Sequence, residues 1–253
     1  MQRNVHVRRY TVMMPLTIVS LSACQPRCVR LSFVARSKSR KPLKPRKKNP
    51  VLRGNHYTSR RFDVVAVGAS AGGFHAIAEL LRPLPAEFPS SILVVQHLDP
   101  RRESLLASLL RRYTALRVKQ AEHGEVILPG WVYIAPPDEH LLIGPGKIQL
   151  AHTSLVHFSR PSVDLLFESV AGVYGSRGIG IVLSGSLKDG AAGIRTIKEA
   201  GGVTMAQDPA ESEFASMPAS AIATGCVDHI LPVGKLSIAL MSLYDAGSPK
   251  LYG

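Results

Sequence analysis

The sequence predicts an α/β domain built on a doubly wound, mostly parallel sheet of Rossmann-like type, with an antiparallel hairpin insertion or edge. Three observations point there. From Phe62 onward, short β-branched runs alternate with segments of helical spacing, the pattern of parallel strands joined by crossover helices. The runs at 64–67, 91–96 and 178–183 are close to continuously apolar, as strands covered on both faces must be. Residues 116–158 change texture: Val118, Val126, 131–134, 141–143 and 148–150 are short runs cut by Pro129-Gly130, Pro136-Pro137-Asp138 and Gly144-Pro145-Gly146, which is turn and hairpin chemistry.

Taken in order, the first strand (64–67) runs into Gly68-Ala69-Ser70-Ala71-Gly72. Phe74, Ile77, Leu80 and Leu81 then recur at helical spacing, predicting a helix over 73–81 that Pro83 and Pro85 close. The second strand (91–96) ends at His97, and an amphipathic helix is expected over 102–113 with Leu105, Leu106, Leu109 and Leu110 on one face. After the hairpin region, Val163, Leu166, Phe167, Val170 and Val173 mark a helix. The strand at 178–183 leads into Ser184-Gly185-Ser186-Leu187-Lys188-Asp189-Gly190, and a helix over 191–200 stops at Gly201-Gly202. A strand at 203–207, a short helical piece at 219–223, a short strand at 228–231 and a closing helix at 236–244 complete the domain. No repeat of solenoid period is visible.

Charge divides the chain. The formal net charge is +13, but residues 1–61 hold 16 of the 31 Lys and Arg and no Asp or Glu, so the remainder carries a net charge of −3. The basic character therefore belongs to an N-terminal extension (1–61), followed by a folded domain (62–245) and a C-terminal tail (246–253). Residues 36–61 are too poor in apolar surface to order themselves and read as a solvated linker. No nucleic acid is expected for the domain itself. Arg8-Arg9, the apolar run 12–21 and Leu21-Ser22-Ala23-Cys24 imitate a secretory signal with a lipoprotein cleavage box, and an upstream, spurious start is the competing reading. That run is too short to form a transmembrane segment. Cys24, Cys28 and Cys226 make neither a disulfide framework nor a zinc site. A reducing, cytoplasmic setting is the expectation, with an exported lipoprotein as the alternative.

Parallel α/β sheets place ligands beyond the carboxyl ends of their strands, and three polar residues stand there: Ser70, His97 and Asp189. Gly68-x-Ser70-x-Gly72 has the form of a nucleophile elbow, in which a strand turns sharply into a helix and pushes the hydroxyl outward. A serine needs an imidazole to take its proton, and the imidazole a carboxylate to fix its tautomer. The bland alternatives are a phosphate-cradling glycine turn at Ser70, a structural histidine at His97 and a helix cap at Asp189. Neither Gly-x-Gly-x-x-Gly nor Gly-Lys-Ser/Thr is present to support the phosphate reading. Asp208 rivals Asp189, and His75, His140 and His229 are weaker rivals of His97. No residue pattern asks for a metal or organic cofactor.

The segments Val-Gly-Ala-Ser-Ala-Gly-Gly (67–73), Val-Val-Gln-His (94–97), Ala-Pro-Pro-Asp-Glu-His (135–140), Arg-Pro-Ser-Val-Asp (160–164), Leu-Ser-Gly-Ser-Leu-Lys-Asp-Gly-Ala-Ala-Gly (183–193), Ala-Gly-Gly-Val-Thr-Met-Ala-Gln-Asp (200–208) and Met-Pro-Ala-Ser-Ala-Ile (217–222) resemble, in order, the catalytic domain of the chemotaxis protein-glutamate methylesterase family. The resemblance places that family's catalytic serine, histidine and aspartate on Ser70, His97 and Asp189. It implies hydrolysis of glutamate methyl esters on the cytoplasmic helices of methylated chemoreceptors, releasing methanol, with deamidation of receptor glutamines in many members. A chemotaxis-type kinase is a further implied partner. Backbone N–H groups near Ala71 and Ser186 are the candidates for the oxyanion site.

Two departures qualify the resemblance. The family stretch Gly-Met-Gly-x-Asp-Gly reads Gly185-Ser186-Leu187-Lys188-Asp189-Gly190 here, which alters the loop beside the oxyanion site. The receiver domain of full-length members has no counterpart in residues 1–61, which hold no acidic residue to phosphorylate. Arg101 and Arg102 either meet an acidic receptor surface or form a solvated helix start. The competing functions are a non-catalytic receptor- or kinase-binding module of the same fold, and a nucleotide-binding domain.

Overall fold

A computed structural model describes residues 62–245. The expectations for the basic extension, the signal-like stretch, Cys24, Cys28 and the 246–253 tail lie outside the described residues.

The chain alternates strand and helix as β1 (Val64–Ala69), α1 (Gly73–Leu81), β2 (Ser91–Gln96), α2 (Leu106–Leu110), β3 (Arg117–Gln120), β4 (Trp131–Ile134), β5 (His140–Gly144), β6 (Lys147–Ala151), α3 (Val163–Tyr174), β7 (Gly178–Val182), α4 (Ala191–Glu199), β8 (Val203–Gln207), α5 (Ser216–Ile222), β9 (His229–Leu231) and α6 (Val233–Asp245). Seven strands form one parallel sheet in the order β3-β4-β2-β1-β7-β8-β9, and β5-β6 form a separate antiparallel pair. Every residue of β1, β2 and β7 is buried, which is why their sequences read as apolar runs rather than alternating patterns.

Alternation of side chains across the sheet divides the core into two layers. Val65, Val67, Ile92, Val94 and Ile181 face α1, α2 and α6 through Ile77, Leu80, Leu110, Leu236 and Leu240. Val64, Ala66, Leu93, Val95 and Val182 face α3, α4, α5 and the β5-β6 hairpin through Leu166, Phe167, Ile194, Met217 and Leu141. Burial on this scale, at about 25 cal/mol per Å² of apolar surface, is the main force holding the three layers together.

Two expectations change. The hairpin texture of 116–158 is real only at β5-β6; β3 and β4 are parallel members of the main sheet. Pro129-Gly130 resembles a hairpin turn in sequence, but here it ends a ten-residue return, 121–130, that brings the chain back to the start of a parallel strand. The helix expected over 102–113 shrinks to Leu106–Leu110. Of its apolar stripe, Leu106 and Leu110 enter the core, whereas Leu105 and Leu109 remain exposed. Without burial of the full stripe, intrinsic propensity does not extend so short a helix.

Candidate active site

Register fixes the level of the candidate residues. Ala69 lies opposite Gln96 in the β1-β2 pair, so Ser70 and His97 are each one step past the ends of adjacent strands, roughly 4.8 Å apart by strand spacing. The ladder continues through this step: His97 N–H donates to Ala69 C=O (3.1 Å) and Ser70 N–H to Ser184 C=O (3.0 Å). β1 is the point where the strand order reverses, with β2 on one side and β7 on the other, and such a switch point opens a crevice at the carboxyl ends.

The turn from β1 into α1 is held by polar groups that the sequence reading did not single out. The Gln96 side-chain amide donates to Ser70 C=O. Ser184 Oγ donates to Ala71 C=O (3.0 Å) and accepts from Phe214 N–H (3.0 Å), while Ser184 N–H donates to Gln207 Oε1 (2.8 Å). Gly72 caps α1 at φ +71°, a left-handed conformation that favours glycine. Gly185 is required for a different reason: a Cβ there would stand 2.9 Å from Ser70 Cβ and 2.2 Å from Met217 Sδ. Ser70 Oγ makes no hydrogen bond among the described residues. With Ala71, Phe74, His75, Gln96, His97 and Glu213 it faces an open cleft of about 530 Å³.

His97 Nε2 lies 2.9 Å from Asp189 Oδ2, which leaves Nδ1 as the ring nitrogen available to Ser70. Asp189 is almost wholly buried and fully bonded. Oδ2 also accepts from Val163 N–H (2.7 Å), and Oδ1 accepts from Ser162 Oγ (3.1 Å) and Asp164 N–H (3.0 Å). The expected helix cap is therefore present, but on α3 rather than on the adjoining α4. Burial works to raise the Asp189 pKa, yet the hydrogen bonds from His97, Asp164 and Val163 outweigh it and hold the carboxyl below its ordinary value.

A pH dependence follows. The folded value lies below the unfolded one of about 3.9, so the stability Asp189 contributes is complete above that pH and is lost as pH falls through the folded value. The gap in urea midpoint between wild type and Asp189→Asn is expected to narrow from about pH 6 to about pH 3. A gap independent of pH would count against an ionised Asp189.

Three of the four rivals are elsewhere. His140 is buried with both ring nitrogens engaged, Nδ1 accepting from Ser162 N–H (3.1 Å) and Nε2 reaching Ser154 C=O (3.0 Å). His229 lies exposed on the edge strand β9, and Asp208 accepts from Ala210 N–H in its own turn. His75 lines the cleft from α1, although its ring is exposed. Arg101 is not at a helix start; it clamps Asp99 through Nε and Nη2 (3.0 and 3.1 Å) in the loop before α2, with Arg102 3.8 Å from the same carboxylate. In the altered loop, Leu187 adopts φ +68° with its side chain largely exposed. The loop thus keeps a backbone suited to glycine at the cost of an unfavourable conformation for leucine. Neither Ala71 N–H nor Ser186 N–H has a backbone acceptor among the described residues.

These features define the class: an α/β domain whose strand ends present a serine and a histidine to one cleft, the histidine hydrogen-bonded from behind to a buried aspartate. Residues 65–240 match the family model for CheB methylesterase, and the chain belongs to that family. It is 44% identical over 183 residues to protein-glutamate methylesterase/protein-glutamine glutaminase 2 of Anaeromyxobacter dehalogenans, covering 72% of this chain and 54% of that one. It is 41% identical over 185 residues to protein-glutamate methylesterase FrzG of Myxococcus xanthus, covering 73% and 55%. The chain thus spans about half the length of these two relatives, whereas a Leptospira interrogans relative, 40% identical over 177 residues, is covered over 92% of its length and over 70% of this chain. Among solved structures, the crystal structure of the Thermotoga maritima CheB methylesterase catalytic domain superposes with a TM-score of 0.69 at 36% identity, covering 72% of this chain and 98% of that one.

Proposed function

We propose that residues 62–245 are the catalytic domain of a protein-glutamate methylesterase, a serine hydrolase acting on glutamate methyl esters of chemoreceptor helices in the cytoplasm. The observation that carries the reading is the 2.9 Å His97–Asp189 contact beside Ser70 in a cleft wide enough for a side chain presented on a protein surface. His97 Nδ1 takes the Ser70 proton as Oγ attacks the ester carbonyl. Asp189 steadies the imidazolium that forms. The Ala71 and Ser186 N–H groups stabilise the oxyanion. The imidazolium then protonates the departing methoxide, methanol leaves, and water, deprotonated by His97, clears the glutamyl-enzyme.

With a primary amide in place of the ester, the same sequence of steps releases ammonia. The glutaminase in the printed name of the Anaeromyxobacter relative supports this second activity. Among the described residues no helix is long and apolar enough to cross a membrane.

A fluorophosphonate probe tests the mechanism, because only an activated serine reacts. Labelling mapped to the peptide containing Ser70, together with methanol release from a methylated receptor cytoplasmic fragment, is the expected result. Binding to that fragment without labelling or methanol would replace the enzyme with a non-catalytic receptor-binding module.

A further inference from the structure

The carboxylate that orients His97 is held in place by a second carboxylate. Asp189 lies in the loop that enters α4, yet its oxygens cap the start of α3 by accepting the Val163 and Asp164 N–H groups. Asp164, the second residue of α3, acts in the opposite direction. Its Oδ1 accepts Gly190 N–H (2.9 Å) and Gly193 N–H (2.7 Å), at the N-cap and third position of α4. Each helix start is thus closed by an aspartate from the other segment.

The Gly190 N–H belongs to the peptide bond that leaves Asp189, so Asp164 grips the Asp189 backbone directly. Gly190 stands at φ +97°, a left-handed conformation that glycine adopts freely. There is no slack between the two helices. A Cβ on Gly193 would be 2.6 Å from Phe167 Cβ and 3.1 Å from Asp164 Cα, so backbone packs against backbone and a shift of one helix start moves the other.

We propose that Asp164 is a positioning residue for the reaction: by holding the Asp189–Gly190 peptide it sets where the Asp189 carboxylate, and through it the His97 ring, stands. This rests on the reading of Ser70, His97 and Asp189 as the catalytic groups. The charged and titratable groups facing Asp164 are Asp189 across the helix starts, Glu168 one turn along α3, and His157, whose Nε2 is 3.2 Å from Asp164 Oδ2 without the alignment of a hydrogen bond. Burial, and then the Asp189 charge, push the Asp164 carboxyl above its ordinary value against the pull of the Gly193 and Gly190 N–H groups and of His157. What ties Asp164 to the site is geometric: its Oδ1 accepts two backbone N–H groups at the start of α4.

Two variants of the full chain separate geometry from charge. Asp164→Asn keeps an acceptor oxygen at the same reach and removes the charge; Asp164→Glu keeps the charge and places it one methylene too far. Two readouts are taken: the rate of inactivation by a fluorophosphonate, resolved into kinact and KI, and the downfield proton resonance of His97 Nε2–H bonded to Asp189. Asp164→Asn is expected to keep both near wild type. Asp164→Glu is expected to lower kinact by about tenfold to a hundredfold, the scale of a misplacement near 1 Å, with KI unchanged and the resonance shifted or lost.

A folded Asp164→Glu with wild-type kinact and an unmoved resonance overturns the proposal. If the glutamate proves too large for the chain to fold, Asp164→Ala decides: a folded Asp164→Ala, which has no acceptor for the Gly190 and Gly193 N–H groups, overturns the proposal if its kinact and resonance stay at wild-type values, and supports it if both are lost. Absence of labelling in wild type would remove the serine-hydrolase reading instead, and the resonance would still report whether Asp164 positions Asp189.

Discussion

Replacing Ser70 by alanine is expected to abolish methanol release and fluorophosphonate labelling while leaving the melting temperature close to that of wild type. The two halves of this expectation have separate physical grounds. Ser70 Oγ makes no hydrogen bond among the described residues and faces the cleft, so its removal orphans no buried partner. The backbone of the turn is held by Ser184, Gln96 and the Gly73 N–H to Ser70 C=O bond (2.9 Å), none of which needs the hydroxyl. Chemically, no other hydroxyl occupies the end of β1, and without a nucleophile the remaining groups can only polarise a carbonyl. Triads stripped of one member retain about 10³- to 10⁴-fold catalysis over water, far below the enzyme's own rate. Methanol release by Ser70→Ala at a tenth of the wild-type rate or more would exclude Ser70 as the nucleophile.

At Asp189 the same two quantities are expected to fall together. Oδ2 accepts from His97 and Val163, and Oδ1 from Ser162 and Asp164. Asparagine at this position must turn an amide NH₂ toward one of these pairs of donors, whichever way it is flipped. If the NH₂ replaces Oδ2, His97 can bond to it only in the wrong tautomer; if it replaces Oδ1, the cap on α3 is broken. A loss of about 10³- to 10⁴-fold in kcat is expected for Asp189→Asn, the scale seen when a triad carboxylate becomes an amide. Asp189→Ala removes every acceptor at once, leaving two backbone N–H groups and a hydroxyl buried without partners. At about 1–3 kcal/mol for each such group, the loss is on the order of 3 kcal/mol or more, or roughly 10 °C in melting temperature for a domain of this size. Calorimetry of the alanine variant with kinetics of the asparagine variant checks both parts. An Asp189→Ala melting within a degree or two of wild type would show that the reciprocal caps are not holding α3 and α4 together.

The parts of this protein that were legible in the sequence are those governed by local rules. Apolar runs buried on two faces identified β1, β2 and β7, and helical spacing identified α1 and α3, because periodicity follows directly from which faces are covered. Ser70, His97 and Asp189 were visible as candidates because each stands past the end of a strand, Ser70 and Asp189 in stretches rich in glycine, and the seven ordered motifs then pointed to a family. What local rules could not show was pairing. The parallel placement of β3 and β4 depends on which strand β4 lies beside, and a Pro-Gly turn reads the same before a parallel or an antiparallel partner. The length of α2 depended on whether Leu105 and Leu109 found a core to enter, and they did not.

The supporting residues were hidden for the same reason. Ser162 carries the usual mark of an N-cap ahead of an apolar run, and it does cap α3 through Leu165 N–H. Its second bond, to a carboxylate 27 residues away, has no local signature. Gln96, Ser184 and Asp164 likewise look like ordinary polar residues at the ends of elements until the elements are assembled. By itself, then, the sequence determined the α/β alternation, the strand-end positions of the three candidate side chains and the lack of acidic groups before Phe62. The tertiary structure alone decided that Asp189 serves His97 and caps α3 at once, and that Asp164 closes the reciprocal cap on α4. Those contacts join segments about 25 to 90 residues apart, and only the packing of helices onto one parallel sheet brings their donors and acceptors within bonding distance.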